Sequence, residues 1–198
     1  MIFKNLHLNI DVEDQHFNTL YPSHINKLSE RHWTSVEVAK LAADFLVDKP
    51  NCKVLDIGSG AGKFCLIGAA STKGNFYGVE QREGLVKLSQ RIAKTHNVNN
   101  VEFIHSNITD ISFSNYDSFY FYNPFYENID DSLLIDDKVV IEEKLYFTYS
   151  DYVENQLKNT PIGTRIVTYW SMWIEIPEGF DLEFTAYDGK LNFWEKKF

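Results

Sequence analysis

Residues 54–70 hold the feature that most constrains the fold of this chain: a buried strand, a glycine-rich turn and a helix in direct succession. The turn reads Gly-Ser-Gly-Ala-Gly over residues 58–62, and the strand before it ends in Asp56 and Ile57. Glycines at such a junction let a ligand lie against the backbone, because no side chain stands in the way. The segment therefore predicts a ligand-binding turn within an α/β unit.

The spacing of the glycines indicates which ligand to expect. A dinucleotide-binding turn has the pattern Gly-x-Gly-x-x-Gly, in which the third glycine allows close packing of the helix. Here the third glycine comes one residue early, and Lys63 stands where that pattern has glycine. A phosphate loop is excluded because no Gly-Lys-Ser/Thr follows at the required offset. A tight turn without a ligand is the alternative, but such a turn does not need three alternate glycines.

Strands and helices alternate along most of the chain. Apolar runs predict strands over 53–57, 75–80, 101–105, 118–122 and 165–169. Helical spacing of apolar residues predicts helices before the first strand, after the glycine turn, across 83–96 and through 145–157. This order implies an α/β fold with a mostly parallel, doubly wound sheet. Residues 180–187, a two-residue Asp188-Gly189 turn and residues 191–198 predict a C-terminal antiparallel hairpin.

The first 33 residues follow a different pattern. Their apolar and aromatic side chains are scattered, which predicts an N-terminal helical lid or docking segment over 1–33 and a main domain over 34–198. The main domain begins with Thr34-Ser35-Val36-Glu37, a capping-box pattern in which the Thr34 hydroxyl is expected to cap the first long helix.

Composition narrows the class of protein and its partners. No apolar run approaches the ~20 residues needed to span a bilayer, and the N-terminus lacks a signal-peptide apolar region, so a cytoplasmic protein without a membrane partner is expected. The formal charge of −9, without a basic run, disfavours nucleic acid and suits a neutral or cationic acceptor. Cys52 and Cys65 are interpreted as buried thiols, and no metal site is expected.

The Gly-x-Gly-x-Gly turn after a strand ending in Asp resembles the first motif of class I S-adenosylmethionine (SAM) dependent methyltransferases. The order of elements is similar to the seven-stranded, Rossmann-like sheet of the same family over about residues 34–198, and the overall look is that of small bacterial members of no settled substrate. The resemblance implies transfer of the sulfonium methyl to a small molecule or protein side chain. A non-catalytic SAM- or nucleotide-sensing module and an NAD-dependent oxidoreductase stay open as alternatives.

The resemblance also implies which residues hold the cofactor. The methionine half of SAM would lie against the end of the first strand and its turn, at Asp56, Gly58, Ser59, Gly60 and Gly62. Glu80, at the end of the second strand, can accept both ribose hydroxyls, with Gln81 beyond it. Because NAD also carries vicinal diols, Glu80 alone does not separate the two cofactors, and a solvated charge is its alternative role.

Two other segments are expected at the cofactor. Asn107, followed by Ile108, stands where the family usually has an acidic residue facing the adenine amino group, and it is either an acceptor for that amine or a turn former. Upstream, Trp33 and Thr34 are expected beside the pocket. Trp33 either covers the cofactor, where an aromatic face over a cation contributes roughly 0.5–2 kcal/mol, or packs in the core. His32 is a neighbour of this site or an ordinary surface residue.

Asn123-Pro124-Phe125-Tyr126, after the fourth strand, resembles the Asn-Pro-Pro-Tyr motif of methyltransferases that act on amide or exocyclic amine nitrogens. Asn123 and Tyr126 are therefore the candidate catalytic residues, Asn123 also bordering the cofactor. Phe125 replaces the second proline, which leaves nitrogen specificity open, and an Asn-Pro that merely ends a strand is the alternative. The acidic segment 127–143 that follows is either a solvated cover or an acidic mouth for a cationic substrate.

Overall fold

A computed structural model describes residues 1–27, 33–130, 132 and 134–198, and these fold around a seven-stranded sheet. Parallel strands are β1 (Lys53–Ile57), β2 (Asn75–Glu80), β3 (Val101–His105), β4 (Ser118–Tyr122) and β5 (Arg165–Tyr169). The antiparallel pair is β6 (Phe180–Ala186) and β7 (Leu191–Lys196), and β7 inserts beside β5. The order β3-β2-β1-β4-β5-β7-β6 reverses between β1 and β4, which is where open parallel sheets bind ligands.

The predicted fold class is confirmed, and the five parallel strands agree with the sequence expectation residue for residue. Each is a short run rich in β-branched or aromatic residues, which favour extended backbone. The prediction of a two-residue hairpin turn is wrong, because Ala186 pairs with Leu191 and four residues lie between them. Tyr187, Asp188 and Gly189 all have positive φ, so the reversal takes more residues than a two-residue turn contains.

Helices cover both faces of the sheet. They are α1 (Ile2–His7), α2 (Asp14–Asn18), α3 (Ser23–Asn26), α4 (Val36–Leu46), α5 (Lys63–Ser71), α6 (Glu83–His96) and α7 (Glu143–Lys158). Buried apolar residues of α1, α2, α4, α5 and α6 pack in one cluster on one face. The other face carries α7 with the 3₁₀ turns Ile108–Asp110 and Phe113–Asn115.

The start of α4 differs from the predicted capping box by one residue. Ser35, not Thr34, caps the helix, and its hydroxyl accepts from the Val38 N–H at 3.2 Å. The Thr34 hydroxyl instead shares a 2.6 Å hydrogen bond with the Tyr120 hydroxyl in the core. Both residues carry a hydroxyl that can cap a helix, although only Thr34 is followed three positions later by Glu. The Thr34 hydroxyl is instead taken by its buried partner on β4.

The N-terminal segment is docked on the domain. Leu6 of α1 and Phe17 of α2 are buried in the same cluster as α4 and α5. The Lys63 ammonium, at the start of α5, donates to the Asp14 carboxylate and to the Asn18 side-chain oxygen at 3.0 Å. This packing ties residues 1–27 to the helix that follows the glycine turn, and an opening movement as a lid stays a prediction. Among the described residues, no helix has the length and apolar character of a membrane span.

Candidate functional site

An open crevice lies at the carboxyl ends of β1, β2 and β4. It brings together most of the predicted site residues: Trp33, Gly58, Gly60, Glu80, Gln81, Asn107, Ile108, Asn123 and Tyr126. The other predicted residues, Asp56, Ser59, Gly62 and Thr34, do not line it. The crevice therefore lies at the sheet edge and strand reversal where α/β folds place their ligands.

The three glycines of the turn have different surroundings. A Cβ on Gly58 would lie 2.5 Å from the Pro124 Cβ, so this glycine lets the segment after β4 approach the turn. A Cβ on Gly62 would meet the Phe103 ring at 2.5 Å, so this glycine serves packing between the turn and β3. A Cβ on Gly60 would meet nothing within 4 Å. Gly60 is thus the glycine whose bare backbone faces open space.

Glu80 joins the glycine turn to the end of β2. Its Oε2 accepts from the Gly60 N–H at 3.1 Å, and its Oε1 accepts from the Arg82 N–H at 2.8 Å. Burial raises the pKa of this carboxyl, while the hydrogen bonds from the Arg82 and Gly60 N–H groups and the Arg82 charge oppose that rise. The carboxylate is therefore held at the crevice by the backbone and is not a merely solvated charge.

Arg82 organises a buried ionic cluster that the sequence did not reveal. Its guanidinium makes two parallel hydrogen bonds of 2.8 Å to the Glu127 carboxylate, and its Nε donates to the Asp136 carboxylate at 2.9 Å. The Glu80 carboxylate lies 3.9 Å from the same guanidinium. Burial alone would raise the pKa of Asp136, but the hydrogen bonds and charge of Arg82, with Lys138, hold it below its usual value. Arg82 thereby connects the end of β2 to the segment after β4.

The segment after β4 forms the second wall of the crevice. Asn123 has a left-handed backbone with φ +41°, and its carbonyl accepts weakly from the Tyr126 N–H at 3.4 Å. Phe125, which replaces the second proline of the resembled motif, is buried against the Tyr149 ring at 5.3 Å. Asn123 and Tyr126 are left facing the crevice. The segment therefore lines the crevice, and a role of Asn123 and Tyr126 in catalysis stays a prediction.

Asn107 lines the crevice, but its side chain is already engaged. Its Oδ1 accepts from the Thr109 N–H and hydroxyl, both at 3.0 Å, and its Nδ2 donates to the Tyr149 hydroxyl at 2.9 Å. The turn-forming alternative is therefore realised. A role towards adenine stays a prediction, and the oxygen would have to share its lone pairs to fulfil it.

Trp33 lies at the crevice beside the N-terminal segment. Its ring is 4.4 Å from the Tyr21 ring, and the Lys63 ammonium is 5.6 Å from its centroid. Burial lowers the pKa of Lys63, and Asp14 opposes the shift. The ring borders the open space and also packs against the N-terminal segment, while cover of the cofactor by Trp33 stays a prediction. His32 lies outside the described residues.

Asp56 is buried behind the crevice. The Cys65 thiol donates to its Oδ2 at 3.4 Å. The pKa of Asp56 is raised to about 7, chiefly by desolvation. The hydrogen bond from Cys65 opposes this rise, and the negative charge of Glu80 adds to it. Direct contact with the cofactor stays a prediction for Asp56. Cys52 and Cys65 are both free and buried, as expected.

The acidic segment 127–143 divides into two parts. Glu127 and Asp136 face inward to Arg82, so part of the segment is an anchored cover. Asp137, Glu142 and Glu143 are exposed. Asp131 lies outside the described residues. Across the described part of the chain, no group of three or more His, Cys, Asp or Glu side chains is arranged to hold a metal ion.

A protein-family model described as a methyltransferase domain matches residues 48–162, more than half of the chain. The chain therefore belongs to this methyltransferase domain family. Its cofactor is S-adenosylmethionine, and the class I, seven-stranded architecture expected from the sequence is confirmed. No curated protein matches the sequence.

Solved structures support the fold. TrmN from Thermus thermophilus superposes with a TM-score of 0.61 at 18% identity, over 87% of this chain and 52% of its own. A SAM-dependent methyltransferase from Aquifex aeolicus gives 0.55 at 19% identity, over 88% of this chain and 96% of its own. Geranyl diphosphate C-methyltransferase from Streptomyces coelicolor A3(2) superposes with a TM-score of 0.54 at 12% identity, over 81% of this chain and 78% of its own. The chain thus spans about half the length of TrmN.

Proposed function

We propose that this protein transfers the methyl group of S-adenosylmethionine to a small molecule or a protein side chain at the crevice above β1, β2 and β4. The observation that carries the proposal is Gly60. Its backbone faces open space, and its N–H is directed to the carboxylate of Glu80 at 3.1 Å. A bare main chain beside a buried carboxylate suits a ligand with an amino-acid end and a vicinal diol.

The residues present fit this cofactor. Glu80 would accept from the ribose hydroxyls by exchanging its hydrogen bond with Gly60, and Gln81 lies next to it on the crevice wall. The Trp33 ring borders the same space and would lie near the sulfonium, a cation that an aromatic face stabilises. The bound cofactor supplies an electrophilic methyl group, so the task of the protein is placement.

Asn123 and Tyr126 would position the acceptor. Both face the crevice, while Pro124 packs against Gly58 and Phe125 is buried. The anchored neighbours therefore hold the two outward side chains close to the glycine turn. Alignment of a nucleophile with a methyl carbon in a fixed geometry lowers a barrier by up to ~7–11 kcal/mol, and it does not require a dedicated base. The charge of −9 supports an acceptor other than nucleic acid.

Label transfer from radioactive SAM to fractions of a cell extract tests this proposal. The wild-type protein is expected to label one fraction and to release S-adenosylhomocysteine. Gly60→Val is expected to abolish both, because its side chain would occupy ligand space. Gly163→Val is the matched control, since Gly163 also has positive φ and a Cβ there would meet no atom within 4 Å, at the opposite end of the sheet. Equal labelling by Gly60→Val and Gly163→Val, or no turnover with any fraction, would overturn the proposal.

A further inference from the structure

Directly after β5, the chain holds large apolar side chains in solvent. Residues 170–176, here called the tryptophan loop, include four such side chains: Trp170 (48% exposed), Met172 (63%), Trp173 (45%) and Ile174 (43%). Single exposed apolar residues are ordinary, but a contiguous group marks an interaction surface. Tryptophan is also among the residues that contribute most to binding energy in protein interfaces.

The loop is held in this conformation by a buried carboxylate. Trp170 and Trp173 have φ of 53° and 67°, a region that costs bulky residues about 1–3 kcal/mol. Glu175, only 4% exposed, accepts from the hydroxyls of Ser150 at 3.0 Å and Ser171 at 3.1 Å. The Ser171 hydroxyl in turn accepts from the Trp173 N–H at 3.0 Å. Strain of this kind, supported by a specific network, is typical of functional segments.

The tryptophan loop lies at the acceptor side of the crevice. Tyr122 lines the crevice at the end of β4, and it pairs with Tyr169 at the end of β5, with the rings 4.7 Å apart. Tyr169 is in turn 6.4 Å from Trp170. From α7, the Tyr146 hydroxyl lies 3.7 Å from the Met172 sulfur. An acceptor that contacts both the crevice and the loop therefore extends over several side chains.

Charge on the segment next to the loop favours a cationic partner: α7, whose Tyr146 hydroxyl reaches the Met172 sulfur, begins at the exposed Glu143. Residues 127–143 contain seven Asp or Glu residues and one Lys, and Asp137 and Glu143 are exposed. The Lys190 ammonium lies 4.5 Å from the Trp170 ring, so an indole of this loop already holds a cation. Lys144 is paired with Glu142, and Lys138 with Asp136. Because Glu127 and Asp136 already bind Arg82, it is the exposed Asp137 and Glu143 that would repel a polyanion.

We propose that the tryptophan loop and the exposed carboxylates of segment 127–143 dock a basic polypeptide segment, which presents a methyl-accepting side chain to the crevice. Large apolar side chains of the partner lie against Trp173 and Met172, and its Lys or Arg side chains lie against Asp137 and Glu143. This inference rests on the proposed function and names the class of acceptor for it. RNA is the alternative partner, and the same experiment decides between them.

Fluorescence anisotropy with three labelled probes tests the docking. The first is a twelve-residue peptide in which lysine and arginine alternate with leucine and phenylalanine. The second has glutamate at the basic positions, and the third is a twelve-nucleotide single-stranded RNA. At equal salt, the basic peptide is expected to bind at least tenfold more tightly than the other two probes. Tighter binding of RNA, or equal binding of the acidic peptide, would overturn the proposal.

Variants locate the surface. Trp173→Asn, which retains a residue that tolerates positive φ, is expected to weaken basic-peptide binding about fivefold or more. The double variant Asp137→Asn/Glu143→Gln is expected to weaken it by a similar factor. Ile162→Asn, at a residue 70% exposed at the opposite end of the sheet, is the control and should bind as wild type. Unchanged binding by Trp173→Asn would contradict the assignment.

SAM titration of the same proteins separates the two proposals. If Trp173→Asn binds SAM as wild type but has lost the peptide, the variant is folded and the docking surface is supported. If the wild-type protein binds SAM but none of the peptides, the docking proposal fails and the proposed function stands. If the wild-type protein does not bind SAM, the proposed function itself fails.

Discussion

Replacement of Arg82 by methionine is the sharpest test of how the crevice is held together. Arg82 is 4% exposed, and its partner Glu127 is 8% exposed. The substitution retains much of the aliphatic side chain but removes the guanidinium that binds Glu127 in two hydrogen bonds of 2.8 Å. It also removes the hydrogen bond to Asp136 and the positive charge 3.9 Å from Glu80. Two buried carboxylates thereby lose their counterion.

The expected cost is large for a single substitution. Removal of one partner from a buried ion pair costs about 3–5 kcal/mol of stability, because the other charge stays buried without compensation. In a chain of this size 1 kcal/mol corresponds to about 2–4 °C in Tm, so a decrease of about 6–20 °C is expected. Burial already raises the pKa of Glu80 against the opposing effect of Arg82. The stability lost in Arg82→Met should therefore be smaller at about pH 4, where protonation of the Glu80 carboxylate removes its uncompensated negative charge.

Urea unfolding and thermal melts of a double-mutant cycle measure this effect. Glu127→Met and Arg82→Met/Glu127→Met complete the cycle, and the double variant is expected to be more stable than the sum of the single losses predicts. Lys87→Met is the matched control, because Lys87 pairs with Glu83 on the exposed surface of α6 and should cost at most about 0.5 kcal/mol. A loss below about 1 kcal/mol for Arg82→Met, or strict additivity, would refute the reasoning.

Two further predictions concern the core behind the crevice and the approach of its walls. The pKa of Asp56 is raised from 3.8 to about 7, chiefly by burial, so only the folded chain retains this proton between about pH 4 and pH 7. The free energy of unfolding should therefore fall as pH rises through that window, by at most ~1.4 kcal/mol per pH unit. Asp56→Asn should remove this slope when stability is measured by urea unfolding. An equal slope in both proteins would count against the assignment. Gly58→Ala should lose about 2–4 kcal/mol, from positive φ and from the 2.5 Å approach to Pro124. Gly163→Ala carries the φ cost alone, so equal losses in calorimetric melts would show that the approach to Pro124 costs nothing.

Local patterns account for what could be predicted from the sequence. The parallel strands are short runs of strand-forming residues. The glycine turn follows β1 directly and Glu80 is the last residue of β2, so their meeting at one sheet edge follows from topology. The predicted helix cap was wrong by one residue, because Thr34 has the capping-box spacing to Glu37 whereas the adjacent Ser35 also carries a hydroxyl that can cap a helix. Tyr120, a buried partner 86 residues from Thr34, decides between them.

Contacts between distant residues account for what could not be predicted. Arg82 and Glu127 are 45 residues apart, and no periodicity connects them. The one available signal was an arginine two residues after Glu80 in an acidic chain. Glu175 likewise stabilises the tryptophan loop through Ser150 on α7, a partner that becomes visible only when the helix has packed.

Isothermal titration of the wild-type protein with SAM and, in parallel, with NAD tests the central claim most directly. The claim is that the backbone at Gly60 and the carboxylate of Glu80 bind SAM and not a dinucleotide. Saturable heat with SAM at a stoichiometry of about one, together with no response to NAD, is the result expected. Tight binding of NAD with no response to SAM would contradict it.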